Sequence, residues 1–414
     1  MLYTRFVANH IRSALKDTPV ILIRGARQTG KSTLVNVIGA ELRPPPAYFT
    51  LDRIATLDAM NQSGPAFFEP YAGQTVIIDE VQRSPALFTH IKVSVDAHRT
   101  PGRFVLTGSA DPLKLPNLGD SLAGRMTIIE LAPLSQDELL GSPAHFIDAL
   151  FAERFQPTGA ADPRLIERLI TGGYPDAVAR SDFDRRIQWF DDYANSLIDR
   201  DARNLQTIGQ PADVMRLLRL LGAQSANLLN NAGLSRTLGM PLATLRSYVA
   251  LLSRLFMVME LPAWFTNASS RIAKAPKVYI SDTGLMTYLL DQNVERLHLP
   301  SSANQYGALL ETFVVGELRK QLQWNTTRVR MHHFRSHDNH EVDVVLEGPG
   351  GRVIGIEVKS TSNPGARDFN GLHALQAAAG DRFLRGVVLY TGDQVLPHGS
   401  NLCAVPISAL WSTP

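Results

Sequence analysis

The chain has 414 residues, with 41 Lys and Arg against 39 Asp and Glu and a formal charge of +2. At roughly 150 residues per domain this length points to two or three domains, and 44% hydrophobic with 19% charged residues is ordinary globular composition. So small a net charge excludes a global field that drives the chain onto nucleic acid or membrane, a lone Cys403 excludes an intrachain disulfide, and no apolar run approaches the roughly 20 residues that span a bilayer.

In chain order, Met1–Asp17 is polar and amphipathic and lacks the apolar stretch of a signal peptide, so a cytoplasmic protein is expected. To about residue 140, short apolar runs alternate with helical patterns: Val20–Arg24, Ala47–Leu51, Thr75–Asp79, Arg103–Thr107 and Met126–Leu131 read as strands. Runs apolar throughout and separated by helices predict a buried parallel sheet, hence an α/β domain. Residues 141–228 read as mostly helical, broken at Thr171-Gly172-Gly173 and Ile208–Pro211. From 229 to about 290, Leu234–Leu238, a Gly239-Met240-Pro241 turn, and Leu242, Leu245, Val249, Leu252 and Phe256 at helical spacing precede two β-like runs. This is the pattern of a winged helix-turn-helix. Residues 291–305 read as a linker. The segment 306–414 opens with a helix at Tyr306–Leu322 and continues with strands at Val329–Phe334, Glu341–Leu346, Val353–Lys359 and Gly386–Tyr390.

Gly25-Ala26-Arg27-Gln28-Thr29-Gly30-Lys31-Ser32 fits G-x-x-x-x-G-K-[ST], follows a strand and opens a helix that continues at Thr33. Its glycines allow successive N–H groups to aim at phosphate oxygens, and the helix N-terminus adds its positive dipole end. Lys31 is expected to reach the β and γ phosphates of ATP and Ser32 to bind Mg²⁺. The strand Thr75–Asp79 ends in two acids: Asp79 is the expected Mg²⁺ partner and Glu80 the base that orients and deprotonates the attacking water. Arg103–Thr107 leads into Thr107-Gly108-Ser109, where the Thr107 hydroxyl can sense the γ-phosphate. Charge developing in phosphoryl transfer needs a cation, for which Arg125 and Arg200 are the candidates, a surface ion pair being the alternative for each.

The order of strand, P-loop, Asp-Glu strand and Leu-Thr-Gly-Ser strand resembles the AAA+ and STAND-like P-loop ATPases. Arg24–Gln28 before Gly30-Lys31-Ser32, Ile78-Asp79-Glu80-Val81-Gln82 and Gly172-Gly173-Tyr174-Pro175 resemble one subgroup, prokaryotic AAA-type ATPases with a C-terminal domain of unknown function. Over essentially the whole chain, the resemblance implies an ATPase core (1–140), a helical lid region (141–228), a winged helix (229–290) and a restriction-endonuclease-like α/β domain (306–414). It admits a homo-oligomer as well as a monomer.

At the C-terminus, Glu341-Val342-Asp343-Val344 and Ile354–Lys359 alternate as half-buried strands do. Period two sets Glu357 and Lys359 on one face, and a turn at Glu347–Gly351 brings Asp343 opposite Glu357 within one residue of register. Two carboxylates can hold Mg²⁺, which activates water, and a lysine can stabilise the nucleophile. The set resembles the PD-(D/E)XK nuclease motif, with Glu311 on the preceding helix as third acid; an inactive domain of the same fold and a plain ion-paired hairpin are the alternatives. Between Asn230 and Ser281 the basic residues Arg236, Arg246, Arg254, Arg271, Lys274 and Lys277 face a single acid, Glu260, a composition suited to DNA phosphates. Two functions remain open: an ATPase coupled to DNA binding or cleavage through the winged helix and C-terminal domain, and a non-nucleolytic ATP-dependent switch; a toxin or defence component is a further form that the family resemblance alone implies.

Overall fold

Strands β1 (Val20–Arg24), β2 (Ala47–Thr50), β3 (Val76–Asp79), β4 (Phe104–Gly108) and β5 (Met126–Glu130) form one parallel sheet in the order β2-β3-β4-β1-β5. The computed structural model describes residues 2–109, 122–204, 210–265 and 274–413. Residues 4–134 with 254–256 form one compact unit, and 1–3, 135–253 and 257–414 another.

The central strands β3, β4 and β1 are buried on both faces, as expected of a parallel sheet covered by helices on each side. Alternate residues supply opposite sides. Val20, Leu22, Val76, Ile78, Phe104 and Leu106 pack with Phe88 and Ile91; Ile21, Ile23, Ile77 and Val105 pack with Ile11, Leu34 and Ile38. Since β1 is flanked by β4 and β5 in parallel register, the loops after β1, β3 and β4 emerge at one edge, where α/β folds bind ligands. This is the P-loop NTPase core expected from the motif.

In the second unit a helix Pro211–Ala223 precedes β6 (Asn227–Leu228), helices Asn231–Leu238 and Leu242–Arg254, and the strands β7 (Val258–Leu261) and β8 (Lys277–Ile280). The three strands form an antiparallel sheet with β8 in the middle. The Gly172-Gly173 pair has a physical role here. At Gly172 (φ 68°) a Cβ would stand 2.1 Å from Asp282 Oδ1, and Gly173 N–H donates to Asp282 Oδ2 at 2.7 Å. Asp282 in turn caps the helix Thr283–Leu289 by accepting from Gly284 and Leu285 N–H. The expected linker at 291–305 is instead folded: Asn293 caps a short helix Val294–Leu297, and a turn at Pro300–Ser302 leads into the helix Ala303–Gln321.

A six-stranded mixed sheet follows. Strands β9 (Arg330–Arg335), β10 (Glu341–Glu347) and β11 (Val353–Lys359) run antiparallel; β12 (Phe383–Tyr390) and β14 (Leu402–Pro406) lie parallel to β11, and β13 (Leu396–His398) closes the edge. The helix Asn370–Ala379 covers one face through Leu372 and Leu375. Gly371 permits that approach, since a Cβ there would stand 1.8 Å from the Glu341 carbonyl oxygen.

Candidate functional site

The P-loop turns on glycine. Gly25 lies against β5, where a Cβ would meet the Leu131 carbonyl oxygen at 2.1 Å, and Gly30 (φ 89°) starts the helix Lys31–Glu41 from the left-handed region. Gln28 also has positive φ, 64°. Thr29 Oγ1 donates to the Ala26 carbonyl at 2.9 Å. Arg5, which sequence inspection passes over, donates to the carbonyls of Thr29 (2.7 Å) and Ala132 (2.6 Å) and so braces the loop. Lys31 is buried and donates to the carbonyls of Gly25 (3.0 Å) and Ala26 (2.7 Å). Burial pushes its ammonium down to about 8, against the opposing pull of Glu80 and Asp79; an arriving anion would favour the charged form.

Asp79 gathers the site. Its Oδ2 accepts from Ser32 Oγ and Tyr48 OH, each at 2.8 Å, and its Oδ1 accepts from Thr107 Oγ1. Burial and Asp79 both raise the Tyr48 phenol, so it stays a donor. Glu80 follows in the left-handed region (φ 62°), a sparsely populated conformation for a side-chain-bearing residue. Its N–H donates to Thr107 Oγ1 at 3.2 Å; its Oε2 accepts from Ser109 Oγ at 2.7 Å and from Gln82. Tyr48 carries no motif signal, since only the pairing of β2 with β3 brings it here.

Arg125, a candidate for the transition-state cation, lies at the edge of the sheet away from the P-loop. It immediately precedes β5, whose Met126 is in register with Val20, the first residue of β1. That is the amino edge of the sheet, whereas the P-loop follows the carboxyl end of β1. Arg125 Nε instead donates to Asp96 at 2.5 Å, the surface ion pair named as the alternative. Arg200 lies on the helix Phe183–Asn204, and its side chain falls outside the described residues.

In the second unit, the β10–β11 register pairs Val344 with Ile356, which sets Asp343 opposite Glu357. Asp343 Oδ2 accepts from Val358 N–H at 2.9 Å, and Lys359 Nζ donates to Glu357 Oε1 at 2.8 Å. Lys277 of β8, grouped by sequence with phosphate-contacting cations, is instead buried, with Nζ donating to Glu311 Oε1 at 2.8 Å and Asp343 Oδ1 at 2.9 Å. Tyr279 OH donates to the same Glu311 oxygen at 2.7 Å. Burial and the neighbouring Asp343 push Glu311 up to about 7 and Glu357 up to about 8. Burial opposes ionisation of Asp343 too, but Lys277 holds it below the ordinary carboxylate range. The structure brings Asp343, Glu357 and Glu311 of the expected metal set to one cluster with the Lys277 ammonium bonded to two of them, and among the described residues no group of three His, Cys, Asp or Glu is arranged to hold a metal. Arg271 lies outside the described residues.

The core and its loops have the fold of an AAA-type P-loop ATPase, and the family profile described as AAA domain matches residues 17–140. Two profiles described as domains of unknown function match 162–296 (DUF8612) and 306–410 (DUF4143). The chain is 30% identical over 414 residues to uncharacterized proteins of Mycobacterium tuberculosis and Mycobacterium bovis, covering 100% of this chain and 86% of each relative, and it belongs to their family. Distant likenesses among solved structures include the Walker-type ATPase of Pyrococcus abyssi (TM-score 0.45, 16% identity, 70% of this chain and 96% of that one). AMPPCP-bound DnaA of Aquifex aeolicus (0.30, 14%, 60% and 87%) and the RuvB Holliday junction branch migration motor of Thermotoga maritima (0.30, 18%, 62% and 89%) are others. Among the described residues no helix is long and apolar enough to cross a membrane.

Proposed function

We propose that the chain hydrolyses ATP with Mg²⁺ at the P-loop and couples nucleotide state to nucleic-acid binding by its second unit. The hydrolytic reading rests on one observation: the Ser32 hydroxyl meets the Asp79 carboxylate at 2.8 Å, beside Lys31 and Glu80. A hydroxyl and a carboxylate so placed fit a hard cation with oxygen ligands. Ser32 and Asp79 would hold Mg²⁺, which when bound neutralises phosphate charge. The N–H groups of residues 25–33 bind phosphate oxygens, Lys31 faces the β and γ phosphates, Glu80 orients the water, and Thr107 senses the γ-phosphate through Asp79.

Lys31→Ala tests the site. It should weaken ATP binding by about 2–5 kcal/mol, roughly 30-fold or more, read by titration with a fluorescent ATP analogue. Unchanged affinity would remove the P-loop from nucleotide binding.

The order of helix, short strand, two helices and two strands around β8 supports a winged helix. The helix, three antiparallel strands, helix and parallel strand after residue 303 support a nuclease-like fold. Binding is favoured over cleavage because no metal set is arranged among the described carboxylates. No acid occurs from Val214 to Met259, and Arg236 and Arg246 are exposed there. Duplex binding followed by fluorescence anisotropy across salt concentrations should show Arg246→Ala weakening every sequence alike and lowering the salt slope by about 1. An unchanged slope would remove this helix from the interface.

A further inference from the structure

The carboxylates that match the nuclease motif are engaged in a way that a metal site is not. Glu311 Oε1 and Asp343 Oδ1 both accept from Lys277 Nζ, Asp343 Oδ2 accepts from Val358 N–H, and Glu357 Oε1 accepts from Lys359. Of these three carboxylates, Glu357 has one oxygen, Oε2, buried without a hydrogen-bond partner. Mg²⁺ requires several oxygen ligands at about 2.0–2.1 Å in an octahedron, and here the position shared by two acids already carries a positive charge.

The strand positions the Lys277 backbone and the two carboxylates hold its ammonium. Lys277 stands in the central strand β8, in register with Leu228 of β6 on one side and Leu261 of β7 on the other, and only 4% of its surface is exposed. Tyr279, two residues on and on the same face of the strand, donates to Glu311. The two ladders fix the Cα of Lys277 and the face of the sheet from which its side chain leaves. Burying an ammonium is tolerated only when it is paired, and the two carboxylates provide that pairing.

We propose that the ammonium of Lys277 is the resident cation of this cluster, standing in place of a divalent metal and clasping β8 to the helix Ala303–Gln321 and to β10. The nuclease motif is legible in β10 and β11, yet its cation comes from a residue 66 positions before Asp343. The carboxylates therefore join the three-stranded sheet to the C-terminal sheet and carry no metal-dependent cleavage. This inference does not depend on the ATPase reading.

The test is Mn²⁺ uptake by the nucleotide-free full chain, followed by the loss of the free-ion electron paramagnetic resonance signal. Any uptake at the P-loop is common to all variants of the cluster. Wild type and Asp343→Asn should take up equal Mn²⁺. Lys277→Met should gain an additional bound ion that the double variant Lys277→Met/Asp343→Asn loses, and Mn²⁺ should raise its melting temperature but not that of Lys277→Arg. Wild-type uptake that Asp343→Asn abolishes would overturn the proposal, as would a folded Lys277→Met with no further uptake. Should Lys277→Met fail to fold, the comparison of wild type with Asp343→Asn decides alone.

Discussion

Glu80→Gln should bind ATP as wild type does and lose turnover by about 10²–10⁴-fold, the range for removing a general base. The substitution keeps the shape of the side chain and its capacity to accept from Ser109 and Gln82, which hold Oε2. It removes the charge proposed to take a proton from water. Glu80 lies directly after Asp79, its backbone in the left-handed region and its N–H bonded to Thr107, so the carboxylate is aimed by the backbone as well as by its neighbours. Asp79, Ser32 and Lys31 are untouched by the change, which is why binding should survive. Phosphate release measured beside analogue titration separates the two effects. Full turnover in Glu80→Gln would assign the base elsewhere; loss of binding and turnover together would mean that the loop had collapsed.

The second large effect is on stability. Removing Lys277 leaves Asp343 and Glu311 buried and facing one another without a cation, and breaking a buried pair from one side costs about 3–5 kcal/mol. Lys277→Met retains the apolar stem, so the loss is mainly electrostatic. Asp343→Asn added to Lys277→Met should recover part of it, because an amide is cheaper to bury unpaired than a carboxylate. Urea unfolding followed by circular dichroism should show the transition moving to lower urea in Lys277→Met and partly back in the double variant. Because the chain has two units, the transition is assigned by asking whether the shift leaves ATP-analogue binding at the P-loop intact. A midpoint equal to that of wild type would show that the clasp contributes nothing.

Much of the sheet architecture could be read in advance. The runs Val20–Arg24 and Val353–Lys359 form strands with the bounds expected of them, because short apolar runs rich in β-branched residues favour an extended chain, although Val353–Glu357 is buried on both faces and not half-buried as the alternation suggested. The two last strands escaped notice for equally physical reasons. Leu396–His398 contains Pro397, which suits an edge strand, and β13 is the sheet edge; Leu402–Pro406 is a short run without alternation. Residues 291–305 read as a linker from Pro300-Ser301-Ser302, yet side-chain caps such as Asn293 turn a polar stretch into short helices.

By itself the sequence determined what is local. Glycines placed where the backbone must reach phosphate, a lysine and a hydroxyl at the start of the helix, and an apolar strand ending in Asp79-Glu80 are contiguous features, and contiguous residues carry their geometry with them. Only the tertiary structure decided what depends on strand order and on pairing between distant segments. Parallel register put Arg125 at the sheet edge away from the P-loop, β2 brought Tyr48 to Asp79, and β8 carried Lys277 from an apparently basic surface into the buried acids. A charged side chain reads the same in a sequence whether water or a carboxylate solvates it, and the choice between them is made by the residues the fold packs around it.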